Sequence, residues 1–180
     1  MKNLSGTKTE KNLNIAFAGE SQARVKYGYY ASKAKKEGYE QIAEIFTETS
    51  DNEKEHAKIW FKLLHDGAVP DTCDNLVDAI KGEDYETTEM YVKFAAEARE
   101  EGFEEIAELF DKVGGIEENH KKRFQAIKER LDSGMVFKRD GISVWKCRNC
   151  GYIHIGDKAP EECPVCKHPQ AYFEVNAENY

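Results

Sequence analysis

The sequence predicts a mainly α protein: a four-helix bundle followed by a small module of short strands and loops built around cysteines. Three observations predict it. Two long segments, about 9–66 and 74–132, carry the apolar period of amphipathic helices and contain no proline. Both segments share a phrase: AKKEGYEQIAEIF at 34–46 matches AREEGFEEIAELF at 98–110, an offset of 64 that makes the two segments an internal repeat. After Leu131 the helical period stops, and glycine, proline and two CxxC pairs take over.

Each repeat reads as a helical hairpin. Gly38 and Gly102 sit where a helix C-cap is needed, so each segment folds back on itself through a very short turn. Between the hairpins, HDGAVPDTCDN at 65–75 reads as a loop from its Gly, Pro and Asp residues. A bundle can join its halves by a tight turn or by a long crossover, and the crossover is the expectation here. The helical domain spans 1–134. The second module spans 135–180, with β-prone runs at 142–145 and 172–175 flanking the cysteines.

Charge is uneven along these 180 residues. The formal net charge is −8, and all of it belongs to the first domain, because residues 135–180 carry six basic and six acidic side chains. An acidic chain of this kind disfavours nucleic acid and anionic membrane as partners. No stretch approaches the roughly 18 apolar residues of a membrane span, and the start MKNLSGTKTEKN lacks the apolar core of a signal peptide. A cytoplasmic location is expected. Four of the five cysteines lie within twenty residues, which in a reducing compartment points to metal ligation rather than disulfides.

The helical seams contain what a core excludes. In the second helix the stripe Ile42, Phe46, Thr49, Glu53, His56, Trp60, Leu63 sets a carboxylate beside an imidazole at its centre. The fourth helix repeats this with Phe110, Val113, Glu117, His120 and Phe124. Glu20 interrupts the first seam, and Glu83 the third, with Glu86 one turn beyond it. Counted from the turns, Glu20 is 18 residues before Gly38 and Glu53 is 15 after it, while Glu83 is 19 before Gly102 and Glu117 is 15 after it. At about 1.5 Å per residue the levels agree to about 6 Å within each hairpin. If the hairpins pack side by side, five carboxylates and two imidazoles converge.

A single Glu-x-x-His is ordinarily a solvated helix face. Here the repeat, the apolar flanks and the common height act together. Unpaired carboxylates cost several kcal/mol each to bury, so cations or protons must accompany them, and two divalent ions bring four positive charges to five carboxylates. One Glu from each of two helices plus Glu-x-x-His from each of the other two is the ligand set of ferritin-like di-iron bundles.

Cys147, Cys150, Cys163 and Cys166 form two knuckles separated by twelve residues, a set that holds one ion tetrahedrally. Spacing alone allows zinc or iron. Trp145, Tyr152 and Phe173 beside the knuckles favour iron, and WKCRNCGYIHIGDKAPEECPVCKHPQAYFE resembles a short rubredoxin. His154 and His168 are expected on the surface of this module, and Cys73 as a lone small core residue.

A carboxylate-rich bundle followed by such a module resembles the rubrerythrin family over essentially the whole chain. AFAGESQAR around Glu20, EKEHAK around Glu53 and His56, GEDYETTEMY around Glu83 and Glu86, and EENHKKRF around Glu117 and His120 carry the likeness. The resemblance implies a di-iron centre bridged by Glu53 and Glu117, with Glu20 and Glu83 as terminal ligands and His120 completing one iron. The other iron would exchange Glu86 for His56 with oxidation state. Glu20 matches Glu83 at an offset of 63 rather than 64, so a one-residue bulge is expected between Glu83 and Tyr91. Tyr27 and Tyr91 could hydrogen-bond the ligand carboxylates.

By that resemblance the chain is a peroxidase that reduces hydrogen peroxide to water and protects against oxidative stress. Its electrons would come from an external NAD(P)H-linked reductase or a rubredoxin, through the mononuclear iron. Leu131 lies 14 residues beyond Glu117, about 21 Å along the helix, so a head-to-tail homodimer is expected to bring one copy's four-cysteine iron to the other's di-iron site. The rival readings are iron oxidation and storage, as in ferritins, and a zinc ribbon on a structural bundle.

Overall fold

The structure, a computed structural model, describes residues 3–178. It forms two compact units, one ending at Asp71 and the other beginning at Thr72.

The first unit is a hairpin of α1 (Lys8–Lys36) and α2 (Glu40–Leu64). Thr7 caps α1, its hydroxyl accepting the Glu10 N–H at 3.1 Å, while the Glu10 carboxylate accepts the Gly6 N–H at 2.7 Å. The turn is as the sequence predicts: Gly38 adopts φ +84°, the Tyr39 N–H donates to the Ala34 carbonyl at 2.9 Å and the Gly38 N–H to Lys35 at 3.1 Å. That pair of bonds satisfies carbonyls α1 would otherwise leave open. Small residues let the two helices approach. Ala31 and Ala34 are buried on α1, and Ala43, Ser50 and Ala57, seven apart, on α2. The Ser50 hydroxyl donates to the Arg24 carbonyl at 2.8 Å, tying one helix to the backbone of the other.

The second unit repeats this hairpin. α3 (Thr72–Tyr85) runs through a π-helical turn (Glu86–Met90) into α4 (Tyr91–Glu100), and α5 (Glu104–Asp132) returns alongside. The expected bulge is therefore present, with the Tyr91 N–H reaching back five residues to the Glu86 carbonyl. The reversal again uses a left-handed glycine, Gly102 at φ +86°. Gly114 takes the place of Ser50, and a Cβ there would lie 3.3 Å from Tyr91 Cβ, so the absence of a side chain lets the bulged helix pack closely.

Glycine position sets the sign of a substitution. Gly102→Ala is expected to destabilise by about 1–2 kcal/mol, because a Cβ crowds the carbonyl in the left-handed conformation. Gly82→Ala, inside α3 with open space around the new methyl, is expected to stabilise by about 0.5–1 kcal/mol. Thermal melting of the two variants, shifting in opposite directions, checks both.

The C-terminal part of the second unit is a three-stranded antiparallel sheet of order β2-β1-β3, with β1 at Lys138–Cys147, β2 at Ile153–Lys158 and β3 at Phe173–Val175. Trp145 pairs with His154 on one side and Val175 on the other. Its core is Trp145, Cys147, Ala159, Cys163 and Phe173, with Phe137, Tyr152 and Cys166 packed against it.

Three expectations are corrected. The apolar stripes flanking the Glu/His pairs are not fully buried: Ile42 is 48 % and Ile106 46 % exposed, Phe46, Trp60, Phe110 and Phe124 are half-buried, and the fully buried apolar positions of the hairpins are alanines. Cys73 is not a core residue but half-buried, its Sγ 3.9 Å from Asp132 Oδ1. His154 and His168 are half-buried rather than on the surface, and the His168 Nδ1 lies 3.2 Å from the Cys166 carbonyl. No helix among the described residues is long and apolar enough to cross a membrane.

Candidate metal centres

In the first unit, α1 supplies Glu20 and α2 supplies Glu53 and His56, and one donor atom from each lies within 4.8 Å of the others. His56 Nδ1 is 2.8 Å from Glu53 Oε2. This bond, together with one to Glu20, holds the Glu53 carboxyl below the usual range. In the second unit Glu83 of α3 joins Glu117 and His120 of α5 within the same limit. His120 Nδ1 lies 2.6 Å from Glu117 Oε2 and 3.7 Å from Glu83 Oε2. The levels counted from the two turns are thus realised within each hairpin.

The triads match residue for residue, and both are carboxylate-lined, with the carboxylates half-buried and His56 exposed. Glu53 and Glu117 keep 16 % of their side-chain surface and Glu83 20 %, while His56 and His120 keep 52 % and 41 %. Burial pushes the Glu83 carboxyl up, the Glu117 charge adds to this, and His120 opposes it. Glu83 Oε2 is buried without a hydrogen-bond partner, a costly state for an acceptor that a bound cation removes. The donor set of carboxylate oxygens and imidazoles suits iron. Six predicted ligands therefore stand in two triads. Glu86, the seventh, stands on the π-helical turn outside them, close enough for its charge to help raise Glu83.

Tyr27 and Tyr91 occupy equivalent places in the two hairpins. The Tyr27 ring packs 6.1 Å from Tyr30 and from Phe46, and the Tyr91 ring 6.0 Å from Phe110. Burial raises the Tyr91 phenol, with the Glu86 and Glu117 charges adding to it, so its proton is firmly held next to the carboxylates.

The four sulfurs of Cys147, Cys150, Cys163 and Cys166 also lie within 4.8 Å of one another, and none is in a disulfide. Cys147 to Cys166 is 3.7 Å and Cys150 to Cys163 is 3.6 Å. A tetrahedral ion with metal–sulfur bonds of about 2.3 Å sets its sulfurs about 3.8 Å apart, so the cage has the right size. The two knuckles are equivalent. Gly151 at φ +79° and Lys167 at φ +62° follow the second cysteine of each and donate back to the Cys147 and Cys163 carbonyls at 2.9 and 3.0 Å.

Backbone N–H groups two residues further on point at sulfur. The bond from His168 holds the Cys166 thiol down at about 6. The matching bond from Tyr152 favours the Cys150 thiolate, but burial and the three neighbouring sulfurs outweigh it and push that thiol up to about 12. Crowding four thiolates is unfavourable until a cation shares them. Sequence reading did not single out Arg139, whose guanidinium lies 5.2 Å from the centre of the Trp145 ring that shields the cage. Their even spacing on one strand was the available signal.

Comparison with known proteins agrees with both centres. The rubrerythrin family model matches residues 11–128, and the model for the rubrerythrin rubredoxin-like domain matches residues 145–174. The chain is 49 % identical to the rubrerythrin of Nitratidesulfovibrio vulgaris and 47 % identical to rubrerythrin-1 of Clostridium acetobutylicum, each over the full length of both proteins. It is 34 % identical to nigerythrin of N. vulgaris, covering 92 % of this chain and 85 % of that one. The fold is a ferritin-like helical bundle with a rubredoxin-like module, and its cofactors are a di-iron centre and one iron held by four cysteines. With two matched Glu/Glu/His triads, a four-cysteine cage and family models covering both, the chain belongs to the rubrerythrin family.

Proposed function

We propose that this protein is a peroxidase that reduces hydrogen peroxide to water at the di-iron centre and takes its electrons through the four-cysteine iron. The observation that carries this reading is the pairing of the two centres in one chain: a carboxylate-rich site suited to two irons and a cage suited to one-electron transfer. In this reading residues 1–134 form the di-iron domain and 135–180 the electron-transfer domain.

Two adjacent ferrous ions, when bound, supply the two electrons that cleaving the O–O bond requires. The chain's own groups hold and orient them. Glu53 and Glu117 would hold both irons, Glu20 and Glu83 one each, His120 would complete one iron, and His56 or Glu86 would complete the other. Glu86 is suited to this because the π-helical turn sets it apart from the triad. Tyr91, its proton firmly held beside Glu86 and Glu117, serves as a donor orienting carboxylate oxygens, and Tyr27 does the same in the first unit.

A head-to-tail homodimer brings one copy's four-cysteine iron within reach of the other's di-iron centre. An NAD(P)H-linked reductase, directly or through a rubredoxin, supplies the electrons. The cytoplasm suits this chemistry, because it keeps the four thiols reduced. Metal analysis combined with anaerobic reduction and peroxide titration tests the reading. A red protein with two irons on the helices, reoxidised by one peroxide per iron pair, is expected. A colourless zinc protein would overturn it, and a large hollow assembly that accumulates iron would replace it with storage.

A further inference from the structure

The cysteine cage carries a charge that changes with its iron, and one cation of the module is placed to act on it. Four thiolates bring four negative charges, so the cage is left with one net negative charge around ferric iron and two around ferrous iron. A positive charge held nearby therefore stabilises the ferrous form more and raises the reduction potential.

Three of the module's six cations are committed to carboxylates at the surface. Arg148 pairs with Glu174 at 3.6 Å, Lys158 with Glu161 at 3.1 Å and Lys167 with Glu162 at 3.3 Å. Arg139 differs. It is half-buried, and its guanidinium donates to two carbonyls, that of Met135 and that of Lys138, the latter at 2.6 Å. Burial pushes it down from its usual range, and the Arg130 charge adds to this. Among the described residues no carboxylate pairs with it to offset that cost.

What faces the guanidinium is an aromatic ring, the Trp145 indole, with its centre 5.2 Å away. The register of β1 with β2 is irregular between Lys138 and Ser143, and such a break re-aims side chains. Trp145 has no exposed surface and shares one core with Cys147 and Cys163. A single indole thus joins the cation to the core of the cage. With no water at that ring, the field between them is weakly screened.

We propose that Arg139 tunes the reduction potential of the four-cysteine iron, its charge over Trp145 favouring the ferrous cage. The proposal rests on the electron-transfer reading above and names the side chain that sets the relay's poise. A relay biased in this way is readily reduced by its donor and holds the electron until the di-iron centre draws it away.

Spectroelectrochemical titration of the red centre in the full-length protein tests this. At a fixed applied potential the ferric-to-ferrous ratio of Arg139→Gln is expected to be about tenfold that of the wild type, a fall of about 59 mV in a one-electron couple. Arg139→Met keeps an apolar stem over the ring without the charge and is expected to fall as far. Arg139→Lys keeps the charge and is expected to stay near the wild type. Lys138→Gln removes an exposed cation one residue away and is expected to shift the couple far less. The visible spectrum of the iron reports an intact cage in each sample, and where the glutamine variant fails to hold iron the methionine and lysine variants decide. Three results would overturn the proposal: neutral variants with the wild-type potential, a lysine variant that falls as far as the methionine one, or a Lys138→Gln shift as large as that of the neutral Arg139 variants. Loss of iron from every Arg139 variant makes the residue a support of the fold alone, which also overturns it. A wild-type cage with no one-electron couple removes the electron-transfer reading itself, and the proposal with it.

Discussion

Glu53→Ala is expected to reduce peroxide turnover by at least about 100-fold, the upper range for perturbing a metal's ligand environment, while the four-cysteine centre keeps its red colour. Glu53 is the hub of the first triad, 2.8 Å from His56 and bonded to Glu20. Truncating it removes a proposed bridge and frees the imidazole to rotate. Glu53 belongs to the first unit and the four cysteines to the second, so the red centre is expected to persist. Glu55→Ala is the matched control. Glu55 is 58 % exposed and pairs with Lys58 at 3.2 Å on the solvent side of the same helix, a contact worth at most about 1 kcal/mol. Steady-state peroxidase assays on both variants separate a specific ligand effect from a general loss of helix charge. Full turnover in Glu53→Ala would remove Glu53 from the bridge.

Much of this architecture was legible because it is governed by local chemistry. Gly38 and Gly102 mark the hairpin turns since only a left-handed residue lets two N–H groups close on the last carbonyls. The repeat fixed which Glu and His match, and the slip from 64 to 63 residues located the π-helical turn. The cysteine cage was legible from the spacing of its two CxxC pairs, and the structure gives both knuckles the same backbone bonds.

What was not legible depends on neighbours that a period cannot name. Apolar spacing placed Ile42 and Ile106 on a seam, but the fully buried positions of α2 and α5 are Ala43, Ser50 and Ala57 and Ala107 and Gly114, a second line of small residues one step round the helix, with Phe46 and Phe110 packing across each hairpin beside it. Close helix approach needs small side chains, and Ile42 and Ile106 on the adjacent stripe stay exposed. Cys73 shows the same limit: an apolar residue type on a helix near a loop does not say what packs on it, and the structure gives it Asp132 as a neighbour.

The second large effect is expected at the cage. Cys163→Ser should lose the mononuclear iron, because a serine hydroxyl stays protonated at neutral pH and is a poor replacement for a soft thiolate. Cys163 has no exposed surface and sits in a core of five residues, two of them cysteines. So small a core depends on its ion: structural metal binding contributes on the order of 10 kcal/mol in comparable modules. The sheet of β1, β2 and β3 is therefore expected to loosen, while the helices keep their circular dichroism signal because they are stabilised within their own hairpins. Function should split in the same way. Reductase-linked turnover is expected to fall by at least about 100-fold, since a missing one-electron relay removes the proposed entry route, yet a chemically reduced di-iron centre should still be reoxidised once by peroxide at close to the wild-type rate. Stopped-flow single turnover beside steady-state assay distinguishes these. Unchanged steady-state turnover would mean that electrons reach the helices without passing the cysteines, and a slowed single turnover would mean that the module shapes the di-iron site itself.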